Sequence, residues 1–332
     1  MPDQLMIGAL TKIIEKYRPD GRLYILLFKE LIMKIGRLLL SSILFFISLG
    51  IFGCDESDWT QAPDGPLKPG SWIIYLTKNK IKRTVYVYVP STYNGAEDVP
   101  LLLVFHGYMD TALNQMDTDG FLVLAERENF IAAYPEGYGT AGLHSWNAGE
   151  ACCGAAENKG LDDVGLARDI VTELSGRCSI DERRVYAHGH SNGAGLAHRC
   201  GREAAEVFAA ITPKSMPVLV PDAIPSYPVP VLQFHGSADS TISYKGGTIA
   251  FEDEAYISAP NSLLSWANAD ACSGTPETVY YGSSYCKKYT SCEDGSVVEL
   301  CTLDGGNHNN LYGRDDIDVT EMSWEFMSQF SR

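Results

Sequence analysis

The sequence holds 332 residues, 45% of them hydrophobic, with 31 Gly, 16 Pro and 9 Cys. That composition excludes a disordered chain, a collagen-like repeat and a miniprotein held by disulfides alone, and it allows one large domain or two small ones. With 26 basic against 42 acidic residues, a net charge of −16 and no Lys/Arg cluster, nucleic acid is excluded as a partner, because phosphate binding needs clustered positive charge.

Met33 opens a segment with Lys34 and Arg37 in its head, followed by an uncharged apolar run from Leu38 to Phe52. The run is short for a membrane span, which needs about 20 residues. A basic head, a short apolar stretch and a small residue before a break fit a secretory signal over 33–53. Gly53-Cys54 resembles the lipobox of bacterial lipoproteins, which implies that Cys54 carries a lipid. Ordinary secretion and a retained anchor helix are the other readings. Residues 1–32 carry eight charges between Lys12 and Glu30. They read as a start assigned too early or as a helical extension. The polar stretch 54–70, with Pro63, Pro66 and Pro69, reads as a flexible tether.

From 71 to the end the pattern is that of one domain. Trp72–Leu76 and Thr84–Val89 read as an edge hairpin. Pro100–Phe105 is a continuous apolar run, as in a strand buried on both faces, and Phe130–Tyr134 is another. A helix is expected over 114–127 and a second over 162–174, whose Asp162 and Asp163 suit an N-cap. Arg184–Ala187, Phe208–Ile211 and Val229–Phe234 follow as strands, with helices over 193–205 and 262–267 and an amphipathic helix over 319–330. Apolar strands alternating with helices give an α/β fold with a mostly parallel central sheet flanked by helices. The Cys-rich stretch 270–301 reads as a disulfide-stapled insertion. Eight cysteines besides Cys54 fall in two groups, 152–200 and 272–301, so up to four disulfides are expected, mostly within each group. Their spacings lack the close Cys pairs and His partners of zinc sites, and no metal or cofactor is expected.

Gly189-His190-Ser191-Asn192-Gly193 stands between the strand Arg184–His188 and a helix. This is the strand–turn–helix setting of a nucleophilic serine at the tip of a sharp turn. Glycines on either side spare the turn a Cβ clash, and the helix N-terminus favours developing negative charge. A serine needs a base. His198 lies on the helix of the turn itself, and His235 leaves no acid-bearing strand before it. His308, in the Gly-rich loop Asp304–Asn310, is the candidate base. The acid candidate is Asp239, past the end of an apolar strand, where parallel sheets place function. Asp270, Asp294 and Asp304 are its rivals. Backbone N–H groups of Tyr108 and Asn192 are the candidate oxyanion donors. Trp146, His190 and Tyr244 are candidate substrate contacts; Trp146 could equally be packing.

These residues carry a resemblance. Phe105-His-Gly107, Tyr134-Pro-Glu-Gly137, Trp146-Asn-Ala-Gly149 with Cys152-Cys153-Gly154, Asp162-Asp-Val-Gly165, Ser191-Asn-Gly193 and His235-Gly-Ser-Ala-Asp239 resemble those of the α/β-hydrolase esterases grouped as polyhydroxybutyrate depolymerases and feruloyl or acetylxylan esterases (carbohydrate esterase family 1, LpqC-like). The resemblance runs from Ser71 to the C-terminus. It implies the α/β-hydrolase fold, with the stapled insertion before the catalytic His, and Ser191, Asp239 and His308 as the triad. It also implies a serine esterase acting on acyl or feruloyl esters of plant polysaccharide, while the lipobox resemblance adds export and attachment to the membrane through a lipid. A hydroxyalkanoate oligomer is the second substrate class. A non-catalytic binding lipoprotein and a serine peptidase are the readings from other classes. After the base, Asn309-Asn310-Leu311 stands where the family often has Trp-Pro, and after the acid Ile242-Ser243-Tyr244 replaces Val-Pro-Tyr.

Overall fold

The computed structural model describes residues 58–140, 142–249 and 254–332. The expected signal at 33–53, the extension before it and Cys54 lie outside the described residues.

The described residues open with β1 (Thr60–Gln61), β2 (Gly70–Lys78) and β3 (Ile81–Val89). β2 and β3 form the expected hairpin, with Gly70 opposite Val89 and Lys78 opposite Ile81. β1 pairs with β2, so the described part of the expected tether is docked rather than free. Trp59 and Leu67 are buried, and the Leu67 N–H donates to the Arg177 carbonyl at 3.0 Å. Burying two such side chains is worth about 1.5–3 kcal/mol each, enough to hold a Pro-rich stretch against the sheet.

β4 (Val99–Phe105) is buried at every position, as a run without charged residues requires. The single helix expected over 114–127 is two, α1 (Ala112–Asp119) and α2 (Phe121–Glu128), broken at Gly120 with φ 72°. Next come β5 (Ile131–Pro135), the short α3 (Ala155–Asn158) and α4 (Asp163–Ser175). Asp162 caps α4 by accepting from the Gly165 N–H at 2.7 Å. β6 (Ile180–His190), α5 (Asn192–Glu203), β7 (Ala210–Lys214) and β8 (Val231–Gly236) follow, then the small antiparallel pair β9 (Gly247–Thr248) and β10 (Ala255–Tyr256). The chain closes with α6 (Ala259–Ala269), β11 (Glu277–Tyr281), β12 (Ser284–Tyr289), β13 (Val298–Leu303) and α7 (Val319–Met327).

Eleven strands form one sheet in the order β1-β2-β3-β5-β4-β6-β7-β8-β13-β12-β11. From β5 to β13 all neighbours are parallel. Alternate residues of each strand enter opposite layers. Leu101, Leu103 and Phe105 pack with Leu166 and Ile170 of α4, Leu196 of α5 and Trp266 of α6. Leu102 and Val104 pack with Met116, Phe121, Leu124 and, from α7, Trp324 and Phe326.

The stretch expected as an irregular insertion is largely sheet. β11 and β12 form a hairpin, Tyr281 opposite Ser284, that extends the sheet beyond β13. A two-residue turn led by Gly282, at φ 64°, closes it, as tight hairpins demand. Cys286–Cys301 joins β12 to β13, and Cys272–Cys292 closes the adjoining loop. Cys152 pairs with its neighbour Cys153. The expected maximum of four disulfides falls to three among the described residues, because Cys178 and Cys200 are buried as free thiols. Burial pushes the Cys178 thiol up to about 11, which makes it a poor nucleophile.

Asp163 corrects the capping expectation for the second carboxylate of its pair. It is buried and receives Arg83 Nη1 at 2.7 Å and the Asn147 N–H at 2.8 Å. Both side chains of this ion pair are nearly sealed from water, at 4% and 0% exposure. Removing one partner leaves the other charge buried and unpaired. Asp163→Ala is therefore expected to lose about 3–5 kcal/mol of stability. Urea denaturation checks this; an unchanged midpoint would mean that water reaches Arg83.

Candidate active site

The C-terminal ends of β4, β6, β7 and β8 converge on one point. At the end of β6 the chain turns sharply into α5, and Ser191 sits on the turn with φ 55° and ψ −122°. A Cβ on Gly189 would lie 2.2 Å from the Gly193 carbonyl oxygen, and one on Gly193 would lie 2.2 Å from that of Phe105. Both are backbone contacts that cannot yield, so glycine is required at each. The Ser191 N–H donates to the Lys214 carbonyl at 2.8 Å, which fixes the turn to β7.

Three of the expected side chains meet here. His308 Nε2 lies 2.8 Å from Ser191 Oγ, and His308 Nδ1 lies 2.8 Å from Asp239 Oδ2. A carboxylate only accepts, so Nδ1 carries the proton and Nε2 offers its lone pair to the serine hydroxyl. The Thr241 and Ile242 N–H groups donate to Asp239 Oδ1 at 2.9 and 2.8 Å. Burial alone would raise the Asp239 carboxyl. The hydrogen bond and charge of His308, with the Ile242 N–H, outweigh burial and hold it below the usual carboxylate range.

The rivals do not reach Ser191 by a hydrogen bond among the described residues, although His235 Nε2 stands 3.7 Å from Asp239 Oδ2. His235 Nε2 donates to the Ile242 carbonyl at 2.8 Å and so pins the loop of Asp239. Asp270 is buried against Ser296 Oγ, and Asp304 accepts from Ser237 Oγ at 3.3 Å. Asp294 lies in a turn at φ 52°.

The expected substrate contacts fare differently. Trp146 is fully buried, its Nε1–H donating to the His106 carbonyl at 2.9 Å. A ring with no exposed face cannot stack on a ligand, so it is packing. Burial keeps the His190 ring uncharged, and its Nε2–H donates to the His308 carbonyl at 3.1 Å. It holds the loop of His308 and stays partly exposed. Tyr244 is half-buried, with its hydroxyl 2.7 Å from Thr302 Oγ1.

Of the expected oxyanion donors, Asn192 begins α5, where an N–H has no intrahelical carbonyl. The Tyr108 N–H meets no backbone carbonyl among the described residues, while the next amide, of Met109, donates to the His144 carbonyl at 2.9 Å. The Asn192 side chain fixes the turn from the other side. Its Oδ1 accepts from the Trp146 N–H at 2.7 Å, and its Nδ2 donates to the Trp146 carbonyl at 3.0 Å. The Cys152–Cys153 disulfide lies against this amide, Nδ2 standing 3.6 Å from Cys152 Sγ.

Two neighbours were not expected from the sequence. Ser215 Oγ donates to the His308 carbonyl at 3.0 Å, beside His190. Lys214 is buried with Nζ 4.1 Å from the centre of the Tyr312 ring, and burial lowers its amine to about 7. The signal available was their place at the end of β7, next to the turn of β6. A strand end in a parallel sheet is where such residues gather.

Residues 84–243 match the family model described as esterase PHB depolymerase. The chain is 30% identical over 258 residues to feruloyl esterase B of Piromyces equi, covering 75% of this chain and 45% of that one. The stretch 84–243 is thus similar to esterases of the polyhydroxybutyrate depolymerase and feruloyl esterase type. The chain is also 26% identical over 261 residues to the bifunctional acetylxylan esterase/xylanase XynS20E of Neocallimastix patriciarum, covering 77% of this chain and 35% of that one. The chain spans less than half the length of these curated relatives. Among solved structures, an acetyl xylan esterase from Aspergillus awamori superposes with a TM-score of 0.57 at 15% identity, over 77% of this chain and 98% of that one. Esterase 2 of Thermogutta terrifontis does so with 0.51 at 15% identity, over 81% and 97%. The fold is that of the α/β-hydrolases, as expected.

The close packing at the turn is testable. Gly193→Ala must push α5 away from the end of β4. Overpacking of this kind costs about 1–3 kcal/mol, so the melting temperature is expected to fall by about 3–10 °C. An unchanged melting temperature would show that the turn moves freely.

Proposed function

We propose that the chain is a serine carboxylic ester hydrolase working through an acyl-enzyme. The observation that carries this reading is the unbroken line Asp239–His308–Ser191, with both links at 2.8 Å, set on a strand-to-helix turn. Ser191 Oγ attacks the ester carbonyl carbon as its proton passes to His308 Nε2. The negative charge that develops on the carbonyl oxygen is received by the Tyr108 and Asn192 amides. Collapse of this intermediate breaks the bond to the alcohol, which leaves with the proton from His308. Water then adds to the acyl carbon by the same route and frees Ser191 and the acid. Asp239 keeps the ring oriented and balances the imidazolium charge.

The substrate class follows from the relatives: acetyl or feruloyl esters on plant polysaccharide, with hydroxyalkanoate oligomers as the second class. Both classes are carboxylic esters and need the same reacting groups; loops around the site decide between them. Three disulfides fit an exported protein, since such bonds persist in oxidising compartments. Attachment through a lipid on Cys54 belongs to the same reading. Among the described residues no helix is long and apolar enough to cross a membrane.

The test compares the wild-type protein with Ser191→Ala on a short-chain nitrophenyl ester, methyl ferulate, acetylated xylan and a 3-hydroxybutyrate oligomer. Turnover of the preferred ester is expected to drop by about 10³- to 10⁶-fold in the variant, with the aromatic or acetyl esters preferred. Preference for the oligomer would move the substrate to the second class. No turnover by folded wild type would favour a binding protein.

A further inference from the structure

We propose that His106, Glu136 and His144 form a binding site for one divalent transition-metal ion, with zinc as the matching ion. The proposal goes beyond the ester chemistry and does not depend on it. It also departs from the sequence, whose cysteine spacings gave no reason to expect a metal.

The three residues come from separate places. His106 ends the loop step after β4, Glu136 follows β5, and His144 lies on the loop that returns to the site, bridged to Asp110. Their ligand atoms all lie within 4.8 Å of one another. His106 Nε2 is 3.1 Å from Glu136 Oε1, and His144 Nδ1 is 2.9 Å from the same oxygen. In a tetrahedral zinc site with bonds of about 2.0–2.1 Å, neighbouring ligand atoms stand about 3.3 Å apart. The cluster already has nearly that spacing, with two imidazoles and one carboxylate, a donor set that suits zinc.

Hydrogen bonding points the same way. His106 Nδ1 donates to the Gly107 carbonyl at 2.7 Å, which is how a protein orients a ring that ligates through Nε2. The Gly137 N–H donates to Nε2 at 2.9 Å, so Nε2 carries a lone pair and not a proton. A Glu136 carboxylate oxygen stands 3.1 Å from the same Nε2. The ion would take the lone pair from the Gly137 amide. His144 Nδ1 is buried and, despite its closeness to Glu136, makes no properly directed hydrogen bond among the described residues. His106 is fully buried, while His144 and Glu136 are 15% and 17% exposed. The second cluster of this kind, Cys286, Glu299 and Cys301, is closed to a metal because its cysteines form a disulfide.

The ion would tie the loop 106–110, which carries the Tyr108 amide, to the loop 136–145. The Met109 N–H bond to the His144 carbonyl already joins the two. The ion would thus hold the loop 106–110 in place and would not act on substrate.

The test strips the purified full-length chain with a chelator and titrates it with zinc chloride by calorimetry, with metal content read by mass spectrometry after gel filtration. One equivalent is expected per chain, with a rise in melting temperature. His144→Ala and Glu136→Gln are each expected to weaken binding by about tenfold or more. The isosteric Glu136→Gln covers the case in which His144→Ala does not fold. His308→Ala should bind as the wild type does. No uptake by the wild type would overturn the proposal. So would uptake unchanged in both cluster variants, or uptake lost in His308→Ala.

Discussion

The whole site depends on one backbone conformation, the turn at Ser191. A non-glycine residue at φ 55° and ψ −122° costs about 1–3 kcal/mol and persists only where its surroundings over-determine it. Here they do. The Ser191 N–H is taken by β7, the Ser191 carbonyl accepts the Gly195 N–H at 3.0 Å, and Gly189 and Gly193 allow strand, helix and the end of β4 to touch backbone to backbone. The same turn that presents the hydroxyl to His308 also sets the first amide of α5 beside it. Buried strands on both sides supply the rigidity, so the strain is balanced by burial of apolar side chains along β4 and β6.

Around this turn the protein keeps its polar groups uncharged. Burial pushes His188 and His198 down to about 3. His188 then bridges Thr212 Oγ1 at 2.9 Å and the Tyr312 hydroxyl at 2.7 Å. His198 accepts from Trp266 Nε1 at 3.0 Å and donates to the Met216 carbonyl. These rings serve as neutral hydrogen-bonding parts, away from the Asp239 carboxylate that orients His308. There is a cost in acid. In the unfolded chain each ring protonates near about 6.5, but in the folded chain only near 3. Unfolding therefore takes up protons, and stability from these rings is lost as pH falls from about 6.5 towards 3. Burial raises Asp119 to about 7, and that group works in the opposite sense over part of the window.

Much of this was legible in the sequence because the signals were local. The apolar run at Pro100–Phe105 marked β4, and the glycines around Ser191 marked the turn. The position of Asp239 after one strand and of His308 after another suited an acid and a base, and the structure brings all three together. What was not legible rests on distant contacts. Asp163 reads as a cap from its neighbours, and only Arg83 on β3 makes it half of a buried ion pair. Trp146 looks free for a ligand until the His106 carbonyl is seen to hold its indole. The stretch 270–301 lacks strong alternation, and its two strands form because β13 offers an open edge. Gly120 splits a helix whose apolar periodicity runs straight through it. His106 and His144 are 38 positions apart, so no spacing motif could pair them with Glu136.

The most direct measurement is covalent labelling of the intact protein with a fluorophosphonate, followed by intact mass and peptide mapping. An activated serine is expected to take up one phosphonyl group per chain, at Ser191, with labelling lost in His308→Ala. No adduct on folded protein, or an adduct at another serine, would contradict the assignment of Ser191 as the nucleophile.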